Sequence, residues 1–175
     1  MTDRSASPAT RTDGAVALHH APARFSVTKL FDDLPCTHRS WAHDGKCSFL
    51  HGYERSFEIE FGCSTVEPKT GFVVDFGELK EVRALLQAQF DHTTLIAADD
   101  PQLELFEELR RSGVIDLRIM DHTGMEGAAE WVHDNVDGLV RERTAGRVRV
   151  IRVVARESRK NAVVFRSDAH AQGPM

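Results

Sequence analysis

Three of the chain's nine histidines, His38, His43 and His51, crowd around one cysteine, Cys47, in a single stretch. Residues 35–57 read PCTHRSWAHDGKCSFLHGYERSF. Neutral imidazoles are common ligands of Zn2+, and a thiolate beside them can act as a base. Farther on, Asp91 directly precedes His92, a pairing suited to an acid, and Glu157 sits near the end of a segment rich in Val and Ile. These are the residue types that a proton-shuffling metal site needs. Each also has a plainer reading. His38 and His51 could be ordinary loop or core histidines, and Cys47 a small buried hydrophobe. His92 could cap a helix C-terminus, where a cation is favourable. Glu157 could pair with Arg159. Cys36 and Cys63 read as small hydrophobes, and an odd cysteine count at irregular spacing argues against a disulfide framework.

The elements that must carry these residues follow from periodicity. Phe25–Leu30 reads as a short strand. Over Ser56–Phe61, Phe57, Ile59 and Phe61 alternate with Ser56, Glu58 and Glu60, as in a half-buried strand. A turn at Glu67–Gly71 leads to Phe76, Leu79, Val82, Leu86 and Phe90 at helical spacing, with Asp75 as candidate N-cap. Pro101–Ser112 reads as a second helix, and Ile115–Met120 as a strand. The stripe of Met125, Ala128, Ala129, Val132, Val136, Leu139 and Val140 predicts a long third helix. Arg147–Arg156 and Asn161–Arg166 read as a closing hairpin. The layout is α+β: a four-stranded antiparallel sheet with helices on one face. Its open edges suggest closure by other copies of the chain.

Residues 1–23 are small, polar and punctuated by proline, and read as a disordered tail. Residues 24–167 form the expected domain, and 168–175 a loose C-terminal tail. The net charge of -5 gives no basis for nucleic acid or an anionic membrane as partner. No basic-then-apolar leader is seen, so the expected location is cytoplasmic.

Six short stretches, in order, resemble the 6-pyruvoyl-tetrahydropterin synthase / 6-carboxytetrahydropterin synthase family. Cys36-Thr37-His38-Arg39 resembles the family's first zinc-histidine segment. Cys47-Ser48-Phe49-Leu50-His51-Gly52 resembles Cys-x-x-Leu-His-Gly-His, and Gly71–Lys80 resembles Gly-x-x-x-Asp-Phe-x-x-Leu-Lys. Phe90-Asp91-His92-Thr93-Thr94-Leu95 resembles Leu-Asp-His-x-x-Leu. Met125-Glu126 followed by Ala129–Val132 resembles the Thr-Ser-Glu helix start, and Glu157 resembles the glutamate ending the long C-terminal strand.

The resemblance implies the tunnelling fold, in which three subunits close their sheets into a barrel and two trimers stack as a homohexamer with sites at subunit boundaries. It implies a lyase acting on a small-molecule pterin triphosphate, 7,8-dihydroneopterin triphosphate. The products would be 6-carboxytetrahydropterin, acetaldehyde and triphosphate, for 7-deazaguanine (queuosine-type) synthesis. The alternatives are the pyruvoyl-forming branch, or a non-catalytic pterin- or purine-binding protein. It further implies Zn2+ held by His38 and His51, Cys47 as base, His92 oriented by Asp91 as proton exchanger, and Glu157 on the pterin ring with help from Glu126. One family ligand is missing. Where the second histidine of His-Gly-His belongs, this chain has Tyr53, so the third metal ligand is Tyr53 or His43. Asp121-His122 repeats the acid dipeptide, and residues 98–123 look longer than the usual family connection.

Overall fold

A computed structural model describes residues 22–167. The expected tails at 1–23 and 168–175 fall almost wholly outside them. In chain order the elements are β1 (Phe25–His38), β2 (His51–Cys63), α1 (Lys80–Phe90), β3 (Thr93–Ala97), α2 (Leu103–Arg111), β4 (Leu117–Met120), α3 (Met125–Arg143), β5 (Arg149–Arg156) and β6 (Ala162–Arg166). A short 3-10 turn, Lys46–Ser48, lies between β1 and β2.

The sheet has six strands in the order β4-β3-β1-β2-β5-β6. The expected four-stranded antiparallel sheet is its β1-β2-β5-β6 part. Two further strands extend it: β3 runs parallel to β1, and β4 parallel to β3. The physical reason that β3 escapes a periodicity search is its burial. All five of its residues are buried, so no inside-outside alternation is left to read. Helix α2 is the crossover between these parallel strands, and Phe106, Ile96 and Leu117 form a small core of their own beneath it.

Strand β1 runs eight residues beyond the expected Phe25–Leu30 segment, to His38. A bulge hid this extension. Phe31 pairs with Phe57 and Leu34 with Arg55, so β1 carries one extra residue there, and Asp33 takes the left-handed conformation at φ 60°. A one-residue shift flips every later side chain to the other face. After the bulge, Leu34, Cys36 and His38 are the buried positions. The bulge is therefore what turns His38 inward.

On β2 the inward face is Arg55, Phe57, Ile59 and Phe61. Against it pack Val82, Leu86 and Phe90 of α1 and Ala128, Ala129, Val132, Val136 and Val140 of α3. Phe90 is central, with its ring centroid 4.8 Å from Phe57 and 5.4 Å from Trp131. Burying each of the Val, Leu and Phe side chains contributes about 1.5–3 kcal/mol. Helix α1 begins later than the apolar stripe suggested. Asp75 accepts the Gly77 N–H at 2.8 Å in a turn, Phe76 is exposed, and Leu79 is the N-cap. At the start of α3, a Cβ on Gly127 would lie 2.2 Å from the His122 carbonyl oxygen, so only glycine lets this loop pack on the helix. Among the described residues, no helix is long and apolar enough to cross a membrane.

Candidate functional site

The antiparallel register of β1 and β2 sets His38 opposite His51, Cys36 opposite Tyr53 and Leu34 opposite Arg55. On β5, Ala155 pairs with Phe57 and Arg156 with Ser56, so Glu157 follows one step beyond the strand, alongside Arg55. Residues two apart share a face of a strand. His38, His51, Tyr53, Arg55 and Glu157 therefore gather at one end of the helix-covered face.

The three rings cluster. The His38 centroid lies 4.4 Å from that of His51 and 6.1 Å from Tyr53, with His51 and Tyr53 5.3 Å apart. His38 is 4% exposed, and neither of its ring nitrogens has a hydrogen-bond partner. Burial, then the Arg55 guanidinium and the electrostatic influence of the neighbouring His51, push its pKa down to about 3. It stands as a neutral imidazole with a free lone pair. His51 Nδ1 lies 2.7 Å from the Phe49 carbonyl oxygen. A carbonyl only accepts, so Nδ1 carries the hydrogen and Nε2 is left as a donor atom for a ligand. Glu157 Oε2 approaches His38 Nε2 to 3.9 Å.

Two unspent imidazole nitrogens beside a phenol fit a metal ion with a nitrogen, nitrogen and oxygen donor set. Among the described residues, no three His, Cys, Asp or Glu side chains group closely enough to hold an ion. The Nδ1 of His43 accepts the Gly45 N–H at 2.8 Å, which occupies that lone pair. Tyr53 is the third ring at the cluster.

Asp91 ends α1, and His92 follows at φ 57° with its N–H donated to the Pro35 carbonyl at 2.7 Å. The His92 Nδ1–H donates to Asp91 Oδ1 at 2.5 Å, while the imidazole is 84% exposed. His92 borders a cavity of about 500 Å³ together with Cys36, Tyr53, Glu54 and Thr94. The rival dipeptide lines a different cavity, of about 420 Å³, in which Asp121 and His122 meet His43, Trp41, Asp99 and Glu126. Glu126 sits in the first turn of α3, where a carboxylate suits the helix dipole. Cys47 is exposed on the 3-10 turn and lines neither cavity. The structure thus unites His38, His51, Tyr53 and Glu157 and forms the Asp91–His92 pair at the rim of one cavity, while Cys47 sits on the exposed turn and His43 and Glu126 line the other cavity.

Sequence reasoning missed Arg55. It is 1% exposed, and its Nη2 donates to the Thr123 carbonyl at 2.7 Å. Thr123 Oγ1 in turn donates to the Arg39 carbonyl at 2.7 Å, and Arg39 grips the buried Asp100 through Nε at 2.7 Å and Nη2 at 2.9 Å. This chain of bonds ties the ends of β1 and β3 to the loop before α3. A signal was present: Arg55 is two residues before Phe57, on the apolar face of the alternation.

Three comparisons bear on identity. The family model described as 6-pyruvoyl tetrahydropterin synthase matches residues 26–168. A 6-carboxy-5,6,7,8-tetrahydropterin synthase of Rickettsia typhi is 35% identical over 72 residues, covering 41% of this chain and 51% of that protein. One of Rickettsia felis is 36% identical over 67 residues, or 38% and 48%. The chain spans about half the length of these curated relatives. Among solved structures, an uncharacterized protein of Wolinella succinogenes superposes with a TM-score of 0.70 at 17% identity, covering 82% of this chain and 98% of that one. The 6-pyruvoyl tetrahydropterin synthase of Caenorhabditis elegans gives 0.55 at 19% identity, covering 85% and 100%. That of Plasmodium vivax gives 0.58 at 15%, covering 82% and 98%. These likenesses establish the α+β tunnelling fold, and with the family match over most of its length the chain belongs to the 6-pyruvoyl tetrahydropterin synthase family.

Proposed function

We propose that this protein is a carbon–carbon lyase that converts 7,8-dihydroneopterin triphosphate to 6-carboxy-5,6,7,8-tetrahydropterin, acetaldehyde and triphosphate, a step toward 7-deazaguanines. The observation that carries the reading is the gathering of His38, His51 and Tyr53 beside Glu157 in a chain of this family. The carboxy rather than the pyruvoyl product is favoured by the names of the curated relatives.

Glu157, partly buried beside the ring cluster, accepts N–H groups from the pterin edge, for which a carboxylate is a natural bidentate acceptor. Cys47 takes the proton from the substrate side chain, and His92, oriented by Asp91, returns one on the other side. Glu126 closes the pterin pocket from the start of α3. His38, His51 and Tyr53 hold Zn2+, which when bound supplies Lewis-acid polarisation of the side-chain hydroxyls. The assembly is a hexamer of two trimers. The 84% exposure of His92 and the separation of Cys47 from both cavities fit a site completed by a second copy.

The test is mass-spectrometric product analysis after incubating zinc-supplemented protein with 7,8-dihydroneopterin triphosphate. The carboxy product with acetaldehyde is expected. A pyruvoyl product moves the protein to the sister branch, and unchanged substrate refutes the lyase reading. Tyr53→Phe removes only the phenol oxygen and is expected to lower the zinc content of purified protein several-fold by elemental analysis. Unchanged zinc would sink the phenol as ligand.

A further inference from the structure

Arg55 is fully buried, and its Nε and Nη1 have no hydrogen-bond partner. The Thr123 carbonyl, taken by Nη2, is a neutral acceptor and does not balance a buried positive charge. The sheet register sets Arg55 alongside Glu157 on the same inward face. Glu157 is the carboxylate whose charge acts on the guanidinium, and the two interact across the site rather than through a direct hydrogen bond. Glu157 lies just past the end of β5, where the chain enters the exposed turn Ser158–Lys160. The pairing of β5 with β2 ends one residue earlier, at Arg156 and Ser56. Arg159 on that turn offers an exposed cation that would draw the carboxylate outward. Arg55 draws it inward, toward His38.

We propose that Arg55 is a positioning residue that holds the Glu157 carboxylate in place beneath the ring cluster and thereby sets the affinity of the site for the N–H edge of a pterin. The ligand half of this inference rests on the function proposed above, while the Arg55–Glu157 coupling does not. A buried cation coupled to one nearby carboxylate has a recognisable behaviour. Removing one partner strands the other, whereas replacing both can be neutral or stabilising. A merely structural Arg55 would show no dependence on Glu157.

The experiment is a double-mutant cycle with Arg55→Met, Glu157→Gln and the double variant, with Arg55→Lys as the conservative rescue. Two readouts are taken on the full chain: the urea unfolding equilibrium at neutral pH, and the Kd for 7,8-dihydroneopterin by fluorescence titration. Arg55→Met is expected to reduce the unfolding equilibrium's bias toward the folded state at least tenfold in the native background, but to change it little in the Glu157→Gln background. The same substitution weakens dihydroneopterin binding at least tenfold, and Arg55→Lys restores most of it. Additive effects on stability, within twofold, would overturn the pairing whatever the protein binds. A coupled cycle with dihydroneopterin binding untouched by Arg55→Met would overturn the positioning role. If the native protein binds no dihydroneopterin, the pterin reading fails, and the stability cycle still decides the pairing. Should Arg55→Met fail to fold, Arg55→Gln, which removes the charge but keeps a polar head able to donate to the Thr123 carbonyl, closes the same cycle with Glu157→Gln.

Discussion

Cys47→Ala is expected to lower kcat on 7,8-dihydroneopterin triphosphate by about 10²–10⁴-fold, the range for removing a positioned proton-transfer group. Two of the chain's three thiols, Cys36 and Cys47, lie in the stretches that also carry His38 and His51, and their surroundings separate them. Cys36 is buried beside Tyr53 in the sheet, and burial raises its pKa, only partly offset by Arg55, with Glu157 raising it further. At neutral pH it remains a thiol and is a poor base. Cys47 is exposed, on a turn four residues before His51, with its carbonyl taking the Ser40 N–H at 2.8 Å. That bond uses only the backbone, so alanine keeps it. The side chain is absent from the core, and its loss is expected to shift the urea midpoint very little. A normal midpoint with collapsed kcat is the signature of the base. Full activity in Cys47→Ala would remove Cys47 from the mechanism.

The second large effect is on stability. Metal-free protein is expected to lose up to about 4–5 kcal/mol as pH falls from about 6.5 toward about 3, because of His38 alone. The sign follows from proton counting. An unfolded histidine titrates near 6.5, whereas His38 in the fold titrates near 3. Between these values the unfolded chain binds a proton that the folded chain refuses, so acid favours unfolding. The contribution is fully present above about 6.5 and lost by about 3. The causes are the loss of water around a 4% exposed ring, then the Arg55 charge and the influence of the neighbouring His51. Urea titrations at a series of pH values test this. His38→Leu should flatten the slope over this window by up to about 1.4 kcal/mol per pH unit. An unchanged slope would mean that His38 protonates as readily folded as unfolded.

Much of the architecture could be read along the chain. Phe57, Ile59 and Phe61 alternate because β2 has one covered face, and the stripe from Ala128 to Val140 repeats because α3 packs on that face. Such local periods are written residue by residue. So is the order of His38, Cys47, His51, Asp91-His92 and Glu157, which carries the family resemblance. What could not be read depends on where distant segments meet. Strand β3 has no period because both its faces are covered, and its parallel pairing with β1 joins Cys36 to Thr93 across the chain. The bulge at Asp33 reverses the inward face of β1, and only pairing with β2 reveals it. Arg55 is one charge among many in the sequence. It becomes the buried cation of the site because its inward strand position, the loop before α3 and the end of β5 close around it. Local chemistry and period are properties of neighbouring residues, and the sequence determines them by itself. Burial and the company a charge keeps are properties of the packed whole, because they depend on which remote surfaces exclude water together.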